Sequence, residues 1–166
     1  MNSELVLHLY IQLLYMKELN KKLKTTANLP LARQTVINVF LTNTSVKNQL
    51  LEVLKPHDLS IEQFNVLRIL RGQKGNPLNL QDIQERMVNK MSNTTRLIDK
   101  LILKDFVKRT ECKVNRRKIE VYITNSGLKK LDHLDTIMNQ AESNVTKNLS
   151  GTELEQLNEL LQKLQQ

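Results

Sequence analysis

Two short polar segments hold the residues of this chain that are best suited to bind a polyanion. Residues 92–96 read SNTTR, and Arg116 and Arg117 stand side by side in a run of cations. Small hydroxyl and amide side chains can reach base edges in a groove of DNA, and arginine can pair with guanine or with phosphate. The two segments could therefore act together on a nucleic acid if the fold brings them to one surface.

A predicted helix positions the first segment. At about 100° per residue, the sequence NKMSNTTRLIDKLILKDF separates into an apolar and a polar face. The apolar face is predicted to bury Met91, Thr94, Leu97, Ile98, Leu101 and Ile102. The opposite face and its flanks present Ser92, Asn93, Thr95, Arg96, Asp99, Lys100 and Leu103. A polar N-terminal half of this kind is typical of a DNA-recognition helix, and an ordinary solvated face is the alternative.

A predicted β-hairpin positions the second segment. The runs FVKRTEC and KIEVYIT flank it, and the second alternates with period two, so that Ile119, Val121 and Ile123 share one face. Residues 113–117 between the runs form a tip that carries three cations. An arginine on such a tip can enter the minor groove, where narrow A·T tracts concentrate negative potential. A turn whose cations only aid solubility is the alternative.

The positive charge of the chain is concentrated in its middle. Residues 71–130 hold 15 Lys and Arg against 6 Asp and Glu, whereas the rest of the chain holds 10 against 11. All of the excess, within a formal net charge of +8, therefore lies around the two polar segments. A field confined to one region favours a polyanionic partner, of which nucleic acid is the commonest.

Most of the remaining chain is predicted to be helical. Aromatic residues make up only 4% of the chain, and leucines recur at helical spacing. Residues 1–28 and 31–54 are amphipathic helices without polar chemistry, which indicates core or oligomer contacts. Ser60 and Gln63 predict a capping box, and Gly72 suits the left-handed position at the end of that helix.

Local signals also mark where three later helices begin. Asn79 is predicted to cap one helix, and Thr124 to cap a long helix that runs to about Leu149. Thr152 and Glu155 predict a capping box for the last helix. The order helix, turn, helix, hairpin indicates a mainly α fold with a small β-hairpin wing, which is the winged helix-turn-helix arrangement.

Other function classes find little support in the sequence. The single cysteine, Cys112, excludes an internal disulfide and favours a reducing, cytoplasmic compartment. The apolar stretch from Leu5 to Met16 is too short to span a bilayer, so we expect no membrane partner. His8, His57 and His133 lack metal-ligand spacing. With no phosphate loop or nucleophile motif either, we expect no metal, no cofactor and no enzymatic activity.

Three blocks of the chain resemble MarR-type transcriptional regulators: LKPHDLSIEQFNVLRILRG, MSNTTRLIDKLILKDFVKR and NRRKIEVYITNSG. These regulators are bacterial winged-helix homodimers that bind pseudopalindromic promoter sites and are often released by small ligands or oxidants. The resemblance covers roughly residues 31–166. It implies recognition-helix roles for Ser92, Asn93, Thr95 and Arg96, and it implies that Arg116 is the wing-tip arginine with Arg117 beside it. Ser92 and Lys100 are expected to contact phosphate.

The resemblance also implies an organisation and a function. Helices in residues 1–55 and 126–166 would form the dimer, and residues 56–125 would bind double-stranded DNA. The expected function is a sequence-specific repressor released by a small-molecule effector. One alternative is a winged-helix module that binds an acidic protein, and another is a redox switch acting through Cys112.

Three departures from the family pattern affect the wing and the termini. Asn115 replaces the aspartate that usually precedes the wing arginines, so the orientation of the arginine pair loses a carboxylate. Asp105 stands where a glycine commonly ends the recognition helix, and aspartate can adopt the left-handed conformation required there. The helix in residues 1–28 precedes the usual start, and we predict that it packs on the dimerisation helices.

Overall fold

The computed structural model describes residues 3–111 and 119–166. Its helices are α1 Ser3–Leu23, α2 Leu31–Leu54, α3 Ile61–Arg71, α4 Leu80–Arg86, α5 Thr94–Leu103, α6 Asn125–Thr146 and α7 Gly151–Leu164, with a 3₁₀ turn at Lys55–His57. Strands β1 (Val107–Glu111) and β2 (Ile119–Ile123) pair antiparallel. The predicted mainly α fold with a β-hairpin is confirmed. Among the described helices, none combines the length and the apolar character needed to cross a membrane.

The chain divides into two compact units, residues 1–46 and 47–166. In the first unit, α1 ends at Leu23, so the prediction of a helix to residue 28 is wrong. Lys24 takes a left-handed conformation with φ 51°, and the amide of Thr25 bonds back to the carbonyl of Asn20 at 3.0 Å. The turn therefore ends the helix well before Pro30.

One hydrophobic core holds the second unit together. It takes side chains from the end of α2, from α3 to α6 and from both strands. The largest fully buried side chains are Leu54, Val66, Leu67, Leu70, Ile83, Ile98, Leu101, Val121, Leu131 and Leu134. Because α5 and β2 bury residues in the same core, the polar face of α5 and the base of the hairpin have fixed positions relative to each other.

The beginnings of α3 and α4 follow the sequence. Ser60 and Gln63 form the predicted capping box, and Asn79 caps α4 with Asp82 as its reciprocal partner. The end of α3 differs from the prediction. Gly72 has right-handed angles, φ −59° and ψ −18°, and the left-handed residues are Lys74 and Gly75. The chain thus makes a further turn after α3 before it reverses direction. The glycine that takes the left-handed conformation is Gly75, three residues after Gly72.

The start of α6 was predicted correctly and the start of α7 was not. Thr124 caps α6 by accepting a hydrogen bond from the Gly127 amide at 3.0 Å, and α6 ends at Thr146, slightly before the predicted Leu149. The capping box of α7 is formed by Ser150 and Glu153, so the assignment to Thr152 and Glu155 is wrong. Both pairs have the same spacing, and the pair that comes first in the chain forms the cap.

Candidate nucleic-acid interface

Helix α5 presents a polar surface on one side and packs on the core with the other. Ile98 and Leu101 are fully buried, and Thr94 is buried at the first helical position. Thr95, Arg96 and Lys100 are exposed. Three of the seven predicted site residues therefore share the exposed side of one helix, and the opposite side of that helix packs on the core.

Ser92 and Asn93 immediately precede the first residue of α5 in the sequence. The side-chain oxygen of Asn93 accepts a hydrogen bond from the Arg96 amide at 3.0 Å, which caps α5. That oxygen is thus engaged with the backbone, so Asn93 does more to position Arg96 than the sequence suggested. Ser92 is half-buried, and its amide donates to the carbonyl of Asn89 at 3.1 Å.

The segment before α5 corrects one sequence prediction. Met91 was expected on the buried face, but its side chain is 92% exposed. The helix begins only at Thr94, so the helical periodicity used for Met91 does not apply to it. The residue of this segment that enters the core is Met87, which is 3% exposed.

The hairpin is attached to α5 by an ion pair. The Arg109 guanidinium of β1 donates to the Asp99 carboxylate of α5 at 3.0 Å. Asp99 lies on the exposed side of α5, where an unpaired carboxylate would repel a polyanion, and the arginine offsets its charge. On the other strand, Val121 of β2 pairs with Leu78, which lies in the connection between α3 and α4. The two residues form two backbone hydrogen bonds of 2.8 and 3.1 Å, so Leu78 adds a one-residue bridge to the edge of the hairpin.

The predicted wing residues Arg116 and Arg117 lie outside the described residues, as do Cys112 and Asn115. The structure describes the two strand ends that this segment joins, Glu111 and Ile119, which are register partners. The hairpin of the prediction is therefore confirmed at its base, and the roles of the two arginines stay predictions.

A compact junction connects α5, the hairpin and α6. Asp105 follows α5 with φ 57°, the left-handed conformation expected at this position. The Thr124 hydroxyl donates to the Asp105 carbonyl at 2.6 Å, and the Thr124 amide donates to the Phe106 carbonyl at 3.0 Å. Gly127 lies so close that a Cβ there would be 2.2 Å from the Phe106 oxygen. The absence of a side chain at Gly127 is what allows α6 to begin against the end of α5.

Two further ion pairs were not foreseen because their partners are far apart in the sequence. Arg71 of α3 binds Asp135 of α6 through both carboxylate oxygens, at 2.6 and 3.0 Å. Hydrogen bonding to Arg71 lowers the pKa of Asp135, and the same contact raises the pKa of Arg71. Lys104 binds the Asp58 carboxylate at 2.8 Å, and this contact lowers the pKa of Asp58. Helical periodicity places Arg71 and Asp135 on the outer side of their helices but does not pair them, and Asp58 and Lys104 each directly follow a helix.

Two histidines that are distant in the sequence also meet. The rings of His57 and His133 are 5.3 Å apart and inclined by 75°. Burial, Lys130 and His133 together lower the pKa of His57, in that order of importance. Within residues 3–111 and 119–166, no group of three His, Cys, Asp or Glu side chains could hold a metal ion.

The arrangement of α3 to α5 followed by the hairpin is that of a winged helix-turn-helix protein. Comparison with known proteins identifies the type, because the MarR family model matches residues 59–119. Residues 59–119 of this chain thus match the MarR family, and the resemblance noted in the sequence is confirmed over that segment.

Relatives and solved structures agree with this assignment. An uncharacterised HTH-type transcriptional regulator of Bacillus subtilis, YfiV, is 38% identical over 72 residues, which cover 43% of this chain and 44% of that protein. The match thus spans less than half of the length of that relative. A MarR transcription factor from Planctomyces limnophilus has a TM-score of 0.65 at 29% identity, covering 82% of this chain and 98% of its own. A MarR variant from E. coli in complex with operator DNA has a TM-score of 0.69 at 25% identity, with coverage of 76% and 89%.

Proposed function

We propose that this protein is a sequence-specific, DNA-binding transcription regulator that represses from a pseudopalindromic operator as a homodimer. The main support is the exposed side of α5, where Thr95, Arg96 and Lys100 project from a helix anchored in the core. A relative of similar fold has been crystallised with operator DNA. Thr95 and Arg96 would read base edges in the major groove, and Lys100 would contact phosphate.

The remaining predicted residues take supporting roles in this proposal. Asn93 would fix the first turn of α5 through its cap, leaving its amide nitrogen to face the DNA. Ser92 would contact phosphate beside it. Arg116 would enter the minor groove with Arg117 next to it, since the hairpin base is tied to α5 by Asp99 and Arg109.

Dimer formation is proposed for the helices outside residues 56–125. In α7, Leu157, Leu160 and Leu164 are 41, 62 and 57% exposed. In the first unit, Leu31 and Phe40 of α2 are 74 and 66% exposed. Apolar side chains repeated along helices are typical of surfaces that are covered by a partner. Two recognition helices about 34 Å apart would then face successive major grooves.

Release by a small ligand is the regulatory part of the proposal. An open depression of about 620 Å³ adjoins the C-terminal end of α5 and the start of α3. Leucines line it together with charged side chains of both signs: Leu51, Leu59, Leu103, Lys55, Lys100, Lys104, Glu52 and Asp58. Apolar surface beside charged groups of both signs suits a small amphipathic ligand. Redox control through Cys112 is the competing mechanism, and loss of peroxide-induced operator release in Cys112→Ser would favour it.

The first experiment selects DNA fragments from a random pool with purified full-length protein and measures affinity by fluorescence anisotropy. Arg96→Ala should weaken binding to the selected operator about 5- to 150-fold, as expected for one base-reading contact. Lys100→Ala should instead weaken all sequences alike and reduce the salt slope by about 0.9. Lys147→Ala, at an exposed lysine just after α6, serves as the charge-matched control.

Three outcomes would contradict the proposal. Selection that enriches no sequence would favour a module that binds an acidic protein partner. An Arg96→Ala variant with the operator affinity of Lys147→Ala would show that α5 is not the reading helix. Sedimentation at the concentrations used for binding should give the mass of two chains, and a monomer that binds the full operator would refute the dimer.

A further inference from the structure

The turn that precedes α5 exposes two apolar side chains almost completely. Val88 is 94% exposed and Met91 is 92% exposed. Single apolar residues on a surface need no explanation, but two within four positions form a small apolar patch. Met87, between them and α4, is buried, so the segment is anchored while its two apolar neighbours face the solvent.

Hydrogen bonds fix the shape of this turn. The Asn89 side-chain oxygen accepts from the Met91 amide at 3.1 Å, and the Asn89 carbonyl accepts from the Ser92 amide at 3.1 Å. The Gln84 side chain of α4 donates to the Lys90 carbonyl at 3.0 Å. Lys90 and Met91 are therefore the corner residues of a closed turn. Their side chains project because the backbone is bonded inward on either side of them.

The surroundings of the patch point to its partner. Lys90 lies within it and is exposed, and Arg96 is exposed in the first turn of the helix that follows. Cations that flank an apolar pair suit a surface that is anionic at its edge and carries apolar groups inside. In the major groove of DNA, phosphates line the edge and the 5-methyl group of thymine is the apolar group on the floor.

We propose that Val88 and Met91 contact thymine methyl groups next to the bases that α5 reads, and thereby help to set operator preference. This inference rests on the proposed function, because it requires that the N-terminal end of α5 enters the major groove. It adds a pair of specificity residues that lie outside the helix and carry no hydrogen-bonding groups.

The test uses operators in which deoxyuridine replaces thymidine one position at a time. Uracil differs from thymine only by the missing methyl group, so base pairing and phosphate contacts stay the same. With wild-type protein, we expect one or two positions in each half-site where the replacement weakens binding about fourfold, the change that corresponds to one methyl-sized apolar group. Most other positions should change little.

A double-mutant cycle assigns the effect to the turn. In Val88→Ala combined with Met91→Ala, binding to the thymidine operator should weaken, and the deoxyuridine penalty at those positions should vanish. The matched control, Val88→Ile combined with Met91→Leu, keeps the apolar surface and should keep the penalty. Both side chains are exposed, so the thermal midpoint should be unchanged in both variants.

The results distinguish failure of the inference from failure of the proposed function. If wild-type protein binds a selected operator but no deoxyuridine position matters, or if the alanine pair leaves the penalty intact, the methyl contact is refuted and the DNA-binding function stands. A change in sedimentation with the alanine pair would show instead that the patch joins protein chains, which also overturns the inference. Failure of wild-type protein to bind any DNA would remove both.

Discussion

Replacing Gly127 by alanine should destabilise the protein far more than such a small change usually does. The new Cβ would lie 2.2 Å from the Phe106 carbonyl oxygen and 2.9 Å from Cγ1 of Ile123. Ordinary contact begins near 3.4 Å, so the first turn of α6 would have to retreat by about 1.2 Å. That movement pulls the Thr124 amide from the Phe106 carbonyl, a hydrogen bond of 3.0 Å.

The size of the effect follows from three contributions. Overpacking typically costs about 1–3 kcal/mol, and a weakened hydrogen bond costs about 1 kcal/mol. Alanine returns up to about 1 kcal/mol because it favours the helix more than glycine does. The expected net loss is about 1–3 kcal/mol, which should lower the thermal midpoint by about 2–12 °C.

Urea unfolding followed by circular dichroism measures this change, and Gly151→Ala provides the control. Gly151 is the first residue of α7, and a Cβ there meets no atom within 4 Å. Gly151→Ala should therefore be neutral or slightly stabilising. If the two alanine variants unfold at the same urea concentration, α6 does not begin against the Phe106 carbonyl as described.

Two ion pairs give further predictions. Asp135→Asn should cost about 1 kcal/mol at pH 7, whereas Asp132→Asn, whose carboxylate lies 3.6 Å from Arg71 and is 74% exposed, should cost little. Because Arg71 lowers the pKa of Asp135, this stabilisation is present above the usual aspartate pKa of about 3.9 and is lost as the pH falls through the lower folded-state value. Urea titrations at pH 7 and pH 3 should show the difference from wild type shrinking, and a constant difference would contradict the pairing. Asp99→Asn should lower the free energy of unfolding by less than about 1 kcal/mol. It should also raise the affinity for random DNA at low salt, because it removes a carboxylate from the exposed side of α5. An unchanged affinity for random DNA would indicate that this side of α5 does not contact phosphate.

Features set by neighbouring residues could be predicted from the sequence. The caps at Ser60, Asn79 and Thr124 depend on a side chain and an amide three residues later, and all three were predicted correctly. Where two capping boxes were possible for one helix, the sequence did not decide between them. Ser150 and Thr152 both precede a glutamate at the capping distance, and the structure uses Ser150.

Features set by tertiary contacts were beyond the sequence. The pairing of Arg71 with Asp135 spans 64 positions, and that of Val121 with Leu78 joins the hairpin to a connection that carries no strand pattern. The same distinction applies to the candidate nucleic-acid interface, of which only the local features could be predicted. The exposed residues of α5 followed from periodicity, whereas the exposure of Met91 depended on where the helix begins.

If the proposed function holds, the contacts around α6 limit how a bound ligand could act on α5. Thr124 and Gly127 fix the start of α6 to the end of α5, and Asp135 fixes its middle to α3. Helices α3, α5 and α6 are therefore linked by direct contacts within one compact unit. In the proposed dimer, a ligand could not turn α5 without also moving α6. It would act instead by changing the separation of the two recognition helices, to which binding at two successive major grooves is sensitive.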